Sequence, residues 1–325
     1  MSPLFVLIVA VLATTYAGPV IRLATAPALA IAFWRLVLVL PVTGVGALRE
    51  GQLSPGPRPG VDRAPRPGVD RGPRPGVSRS PSVAPASSRP VSASLPLMAL
   101  SGLALAIHFW TWIASLQYTS VASSVVLVSL KPVFAWGIAA VWLGEHPARR
   151  ERWGILVAVA GAVLIGVADA SGTVGALGGD ALALVGALAA ACYYVIGRRV
   201  RASVGVWSYA TVVYAVAAAV LAGLAVGSRV PLTGYPRSDW AVFAALAAGP
   251  MLVGHTGLNY ALKHFRATTV NVAALGEPVG ATILAWLIPA IQEVPAPLAL
   301  VGGVVTLAGI GLALPAGGEE ARARA

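Results

Sequence analysis

The chain has 325 residues, of which 57% are hydrophobic and 11% charged, with a net charge of +11 and a single cysteine. Water-soluble domains carry about 25% charged residues, so this chain cannot coat a water-facing surface and its solvent must be mostly lipid. With Cys192 alone, an internal disulfide is excluded.

A helix needs about 20 apolar residues to cross a bilayer, and ten runs meet or approach that length. The first, 3–21, has no positive n-region before it and reads as a retained span rather than a cleaved signal peptide. The second, 26–48, carries Arg35. A proline-, arginine- and glycine-rich linker follows at 50–94, with the octapeptide repeated as PRPGVDRA, PRPGVDRG and PRPGVSRS. Proline there removes helix hydrogen bonds and the segment has too little to bury, so disorder is expected. The third run, 96–116, holds His108, Trp110 and Trp112. The fourth, 121–143, has Lys131 and Pro132 near its centre. Runs five to seven lie at 153–169, 178–198 and 206–227. The eighth, 239–262, holds His255 and Asn259, which share a face by i,i+4 spacing. The ninth, 268–289, holds Glu277 and Pro278, and the tenth is 298–315, before a tail at 317–325. Continuous rather than alternating runs favour helices over a barrel.

The positive-inside rule orients these spans. With the N-terminus cytoplasmic, the inner loops and linker hold 18 of the 23 lysines and arginines. Both termini are therefore expected inside, and the net charge is a topology signal rather than a sign of nucleic-acid binding.

The two halves repeat. At a constant offset of 146, Leu116 falls on Leu262, Lys131 on Glu277 and Pro132 on Pro278. With two residues inserted, Glu145 falls on Glu293, Gly154 on Gly302 and Gly161 on Gly309. Five spans per half place the second copy upside down relative to the first, an arrangement found in secondary transporters. The expected architecture is all-α, with ten transmembrane helices in two inverted five-helix repeats at 1–170 and 171–316. The paired glycines put small residues on one stripe, for close packing within a monomer or between two copies; a homodimer is one possible consequence.

The stretches SGLALAIHFWTWIASLQYTSVASSVVLVSLKPVFA, LGE and WGILVAVAGAVLIG resemble the EamA domain of the drug/metabolite transporter superfamily. The stretch from LNYALKHFRATTVNVAALGEPVGATILAWL to GGVVTLAGIGL resembles a second copy. Arg35 in AFWRLVLVLP matches the arginine common on that family's second helix. The chain departs from the family at 50–94 and at IPAIQEVP, where the family more often ends in Gly-Glu. The resemblance implies ten helices around a central cavity and, commonly, export of small metabolites or amino acids across the cytoplasmic membrane.

Within the cavity so implied, Lys131 and Glu277 are the leading candidates. Each charge at a helix centre costs roughly 2.5–3.5 kcal/mol facing lipid, whereas a contact at about 4 Å recovers about 4 kcal/mol at an effective dielectric of 20. The pair is either a constitutive clip between the halves or part of the substrate path, with Glu277 a proton carrier. Pro132 and Pro278 each remove a backbone donor, freeing carbonyls or permitting a kink. His108 could contact a carboxylate or phosphate. Trp112 is either cavity wall or interfacial anchor, and Arg35 either a substrate counter-ion or a snorkelling side chain. His255 and Asn259 either line the cavity or hydrogen-bond another helix. A cavity with both signs of charge suits a zwitterion such as an amino acid. No metal-ligand spacing and no cofactor motif is present, so an enzyme is not expected. A passive channel is the alternative to an alternating-access carrier.

Overall fold

The computed structural model describes residues 2–53, 91–118, 124, 127–168, 177–289 and 294–314, and every described element is helical. Most of the arginine-rich linker, the tail and Glu293 lie outside the described residues.

Among the described residues, six helices are long and apolar enough to cross a membrane: Pro3–Ile21, Ala28–Gly51, Ser92–Ser115, Leu177–Arg201, Val206–Gly227 and Arg237–Ala261. The chain is an integral membrane protein. Several apolar runs are not single helices, and proline accounts for most of the breaks. The first run is α1 (Pro3–Thr15), capped by the Ser2 hydroxyl accepting from Phe5 N–H at 3.2 Å, then α2 (Ala17–Ile21). Next, α3 (Ala28–Val37) gives way to α4 (Leu40–Leu53), because Pro41 offers no N–H to the Val37 carbonyl. Then α5 (Val91–Tyr118) runs unbroken.

The fourth run tightens at Ser129 and Leu130 and resumes as α6 (Lys131–Trp142). Two backbone pairings here are i→i+3: Leu130 N–H bonds Leu127 O at 3.2 Å and Val133 N–H bonds Leu130 O at 2.9 Å. After α7 (Arg149–Ala168), α8 (Leu177–Arg201) and α9 (Val206–Gly227), the eighth run has three parts. They are α10 (Arg237–Leu246), a π-helical segment (Ala247–His255) and α11 (Thr256–Ala261). Pro250 breaks the ordinary ladder inside that segment, and Thr256 N–H reaches back five residues to Met251 O. The ninth run repeats the behaviour of the fourth: α12 (Ala267–Ala273) tightens at Ala274 and Leu275, then continues as α13 (Gly276–Leu287). The last helix is α14 (Pro297–Ala313).

Helices α7 and α14 pack along their whole lengths through glycine. A Cβ on Gly154 would lie 2.5 Å from Ala313 N, one on Gly161 2.4 Å from Thr306 N, and one on Gly309 2.2 Å from Ala158 N. Gly302 would meet Ile165 N at 2.8 Å. The contacts are reciprocal: Gly154 meets Ala313 while Gly302, its counterpart 148 residues on, meets Ile165, the counterpart of Ala313. Each residue pair recurs with the halves exchanged, as an isologous two-fold contact requires. Of the two packings the glycine stripe allowed, the structure holds the intramolecular one.

Polar contacts gather at two opposite ends of the bundle. At the end bearing Pro3 and Ala313, Arg198 Nε donates to Glu145 Oε1 at 2.9 Å and Arg266 Nη1 to Glu151 Oε2 at 2.8 Å. There Glu50 also accepts from Ser208 N–H and hydroxyl, both at 2.9 Å, capping α9. At the far end, Asp239 accepts from Thr25 N–H and hydroxyl at 3.0 and 2.8 Å, and Trp34 Nε1 donates to Leu232 O at 2.7 Å. Glu145 lies four residues from Arg149 in sequence, yet it pairs with Arg198, on α8.

Candidate functional site

The tightened turns in the fourth and ninth runs set up the site. Each places a charged residue at the start of the resumed helix, one position before proline: Lys131 on α6 and Glu277 on α13. Their side chains meet, with Lys131 Nζ donating to Glu277 Oε2 at 3.3 Å. Lys131 is buried, its side chain 7% exposed, whereas that of Glu277 is 29% exposed. Both line a cavity of about 200 Å³, and the carboxylate is the wetter partner.

That cavity runs from mid-depth, where Tyr194, His255 and Leu275 form its floor, towards the far end of the bundle, where Arg22 and Ile165 lie at its margin. Lys131, Glu277, Arg35, His108, Trp112, His255 and Pro278 all line it. The structure thus brings seven of the sequence candidates to one space. Pro132 is buried beside Lys131 but does not line the cavity.

Each lining residue is held by its neighbours. The His108 ring hydrogen-bonds Gly186 O through Nδ1 at 2.9 Å, which fixes its orientation. Trp112, one turn on, stacks against it with rings 6.1 Å apart and 8° from parallel. Trp112 is therefore cavity wall rather than an anchor at the bilayer surface. Phe109 meets the edge of His255 at 5.1 Å, and the Arg35 guanidinium lies over Phe109 at 4.3 Å from the ring centre. Arg35 is 1% exposed, so it does not snorkel. Its Nε and Nη1, and Nδ1 of His255, are buried with no hydrogen-bond partner among the described residues.

Asn259 is a correction. It does not line the cavity; its side chain accepts from Tyr193 O–H at 2.8 Å and donates to the Tyr214 hydroxyl at 3.4 Å. Arg201 Nε donates to the Asn259 carbonyl at 3.0 Å, and Tyr214 pairs with the Thr256 hydroxyl at 3.1 Å. Although His255 and Asn259 share a face, Asn259 lies one turn deeper, below the floor, where tyrosines fill the space. Its bonds join three helices.

Sequence reasoning missed Thr14, Thr15, Thr282 and Tyr194 on the cavity wall, and Pro250 in the π segment. The threonines carried no signal, since their hydroxyls bond back to their own helices, as Thr14 to Val11 O and Thr15 to Leu12 O at 2.7 Å. Pro250 in an otherwise continuous run was a readable signal for a distorted helix. Among the described residues no His, Cys, Asp and Glu cluster could hold a metal ion.

The model of the EamA-like transporter family matches residues 72–167 and 177–314. A Bacillus subtilis (strain 168) protein, the uncharacterized transporter YyaM, is 25% identical over 205 residues, spanning 60% of this chain and 67% of its own. A solved structure, described only as "Crystal structure of protein", superposes with a TM-score of 0.71 over 99% of this chain and 98% of that one, at 17% identity. That last likeness is one of fold.

Proposed function

This chain belongs to the EamA-like transporter family, and from that premise we propose that it is a secondary active transporter working by alternating access. It carries a small metabolite, amino acid or drug-like compound across the cytoplasmic membrane, and the family resemblance makes export the proposed direction. Ten helices in two inverted five-helix repeats, with both termini cytoplasmic, form the frame of this reading. The reciprocal glycine contacts of α7 and α14 support it. So does the meeting of Lys131 with Glu277, its own counterpart in the other half.

One observation carries the proposal above a passive pore. The cavity leads from the midplane charge pair to one end of the bundle, while the opposite end is tied by Arg198–Glu145 and Arg266–Glu151. On the positive-inside orientation this is an outward-facing form with its cytoplasmic side shut. Reopening inward requires those two ion pairs to part. Their side chains are 18–40% exposed, so water can take over the charges as the pairs part.

Counterflow in proteoliposomes tests the reading. Vesicles preloaded with unlabelled substrate should transiently accumulate labelled substrate above its external concentration. Simple equilibration without overshoot would assign the protein to the channel class instead.

A further inference from the structure

We infer that the cavity's substrate is a small organic monoanion, a carboxylate on an apolar body, anchored by Arg35. The inference rests on reading this cavity as the transport site and names its ligand chemistry. It starts from charge. The cavity wall has three formal cations, Arg22, Arg35 and Lys131, and one carboxylate, Glu277. Glu277 already holds Lys131 at 3.3 Å, and Arg22 lies at the margin. At the centre, Arg35 feels Glu277 across the cavity but has no carboxylate in contact among the described residues.

Its setting is costly without one. A guanidinium 1% exposed, with Nε and Nη1 unpartnered among the described residues, has lost its water and has in return the face of Phe109 and the field of Glu277, but no hydrogen bond at those two atoms. Buried N–H donors are nearly always satisfied, and an unsatisfied cation in a cavity wall points to an anionic ligand. A planar carboxylate matches a planar guanidinium, with charge-assisted hydrogen bonds roughly twice as strong as neutral ones. His255 Nδ1, also unpartnered, stands close by, edge-on to the same Phe109.

Size and polarity define the rest of the molecule. The volume of about 200 Å³ is below the roughly 300–1,000 Å³ of drug-sized sites. Phe109, Trp112, Ile165 and Leu275 offer an apolar wall to a compact body. A zwitterionic amino acid would bring an ammonium into a space whose one carboxylate is already engaged by Lys131, so the simple acid is the better fit.

The test compares matched probes on the purified full-length protein by thermal stabilisation: phenylacetate, phenylacetamide and phenylalanine, with isovalerate and isovaleramide as an aliphatic pair. The two carboxylates should stabilise the wild type in a saturable manner, with the amides and phenylalanine at least ~10-fold weaker. Arg35→Gln should weaken carboxylate binding by at least ~10-fold, as loss of charged hydrogen bonds predicts. The wild-type acid-against-amide comparison stands even where that variant fails to fold. Equal stabilisation by acid and amide, or preference for phenylalanine over phenylacetate, overturns the inference. Binding is read without transport, so a failure of counterflow with a bound acid would count against the carrier reading alone.

Discussion

Neutralising Glu277 should abolish pH-driven transport. In proteoliposomes, Glu277→Gln is expected to lower uptake driven by a proton gradient at least ~100-fold. The variant leaves Lys131 as a buried cation without its counter-ion. Removing one partner from a buried pair costs about 3–5 kcal/mol in a dry interior. The cation left behind is only 7% exposed, but it lines the cavity, where water can share part of the load. The protein should therefore fold, with reduced thermal stability. A double variant, Lys131→Met with Glu277→Leu, separates the two roles that a charge pair between halves can play. A constitutive clip replaced by apolar contact regains both stability and transport. A proton-carrying carboxylate, once removed, regains stability only. The second pattern is the one expected, and unchanged pH-driven uptake in Glu277→Gln would rule the carrier role out.

The second large effect lies in the α7–α14 seam. Gly309→Ala is expected to destabilise by about 3 kcal/mol or more, at the upper end of overpacking costs. The new methyl would sit 2.2 Å from Ala158 N and 2.6 Å from its Cα. Those are backbone atoms that cannot rotate away, so the helices must separate, loosening the contacts at Gly154, Gly161 and Gly302 as well. Gly223 on α9 is the control. A Cβ there meets nothing within 4 Å, and Gly→Ala in a helix interior gains roughly 0.5–1 kcal/mol. Thermal unfolding in detergent should show the seam variant falling and the Gly223→Ala variant holding or rising.

The charge pair and the glycine seam were both legible in the sequence, for one reason. A charge inside an apolar run and a seven-residue glycine spacing are each costly or unusual alone, and the repeat displays each twice. What the sequence could not display was where polar groups outside the repeated pair find their partners. Glu145 sits four residues from Arg149, yet Gly144, at φ +65°, turns the chain and brings Glu145 N–H back to Ala139 O at 3.2 Å. That reversal delivers the carboxylate to Arg198. Asn259 and His255 share a helical face, but angular position does not reveal depth, and the cavity floor falls between them. The interruptions at Pro41, Lys131–Pro132, Pro250 and Pro278 were readable as proline effects. Counting apolar residues passes over them, and so predicts long helices where the chain makes shorter ones.

The central claim is that Lys131 and Glu277 face water in a cavity open to one side of the membrane, away from acyl chains. Its most direct test is thiol labelling in a Cys192→Ser background, comparing Thr282→Cys on the cavity wall with Ile283→Cys, its neighbour, which is 46% exposed on the bundle surface. A membrane-impermeant maleimide added at the face opposite the chain ends should modify Thr282→Cys and spare Ile283→Cys, which should react with a lipid-soluble maleimide only. Reaction of Thr282→Cys with the lipid-soluble reagent alone would contradict the account.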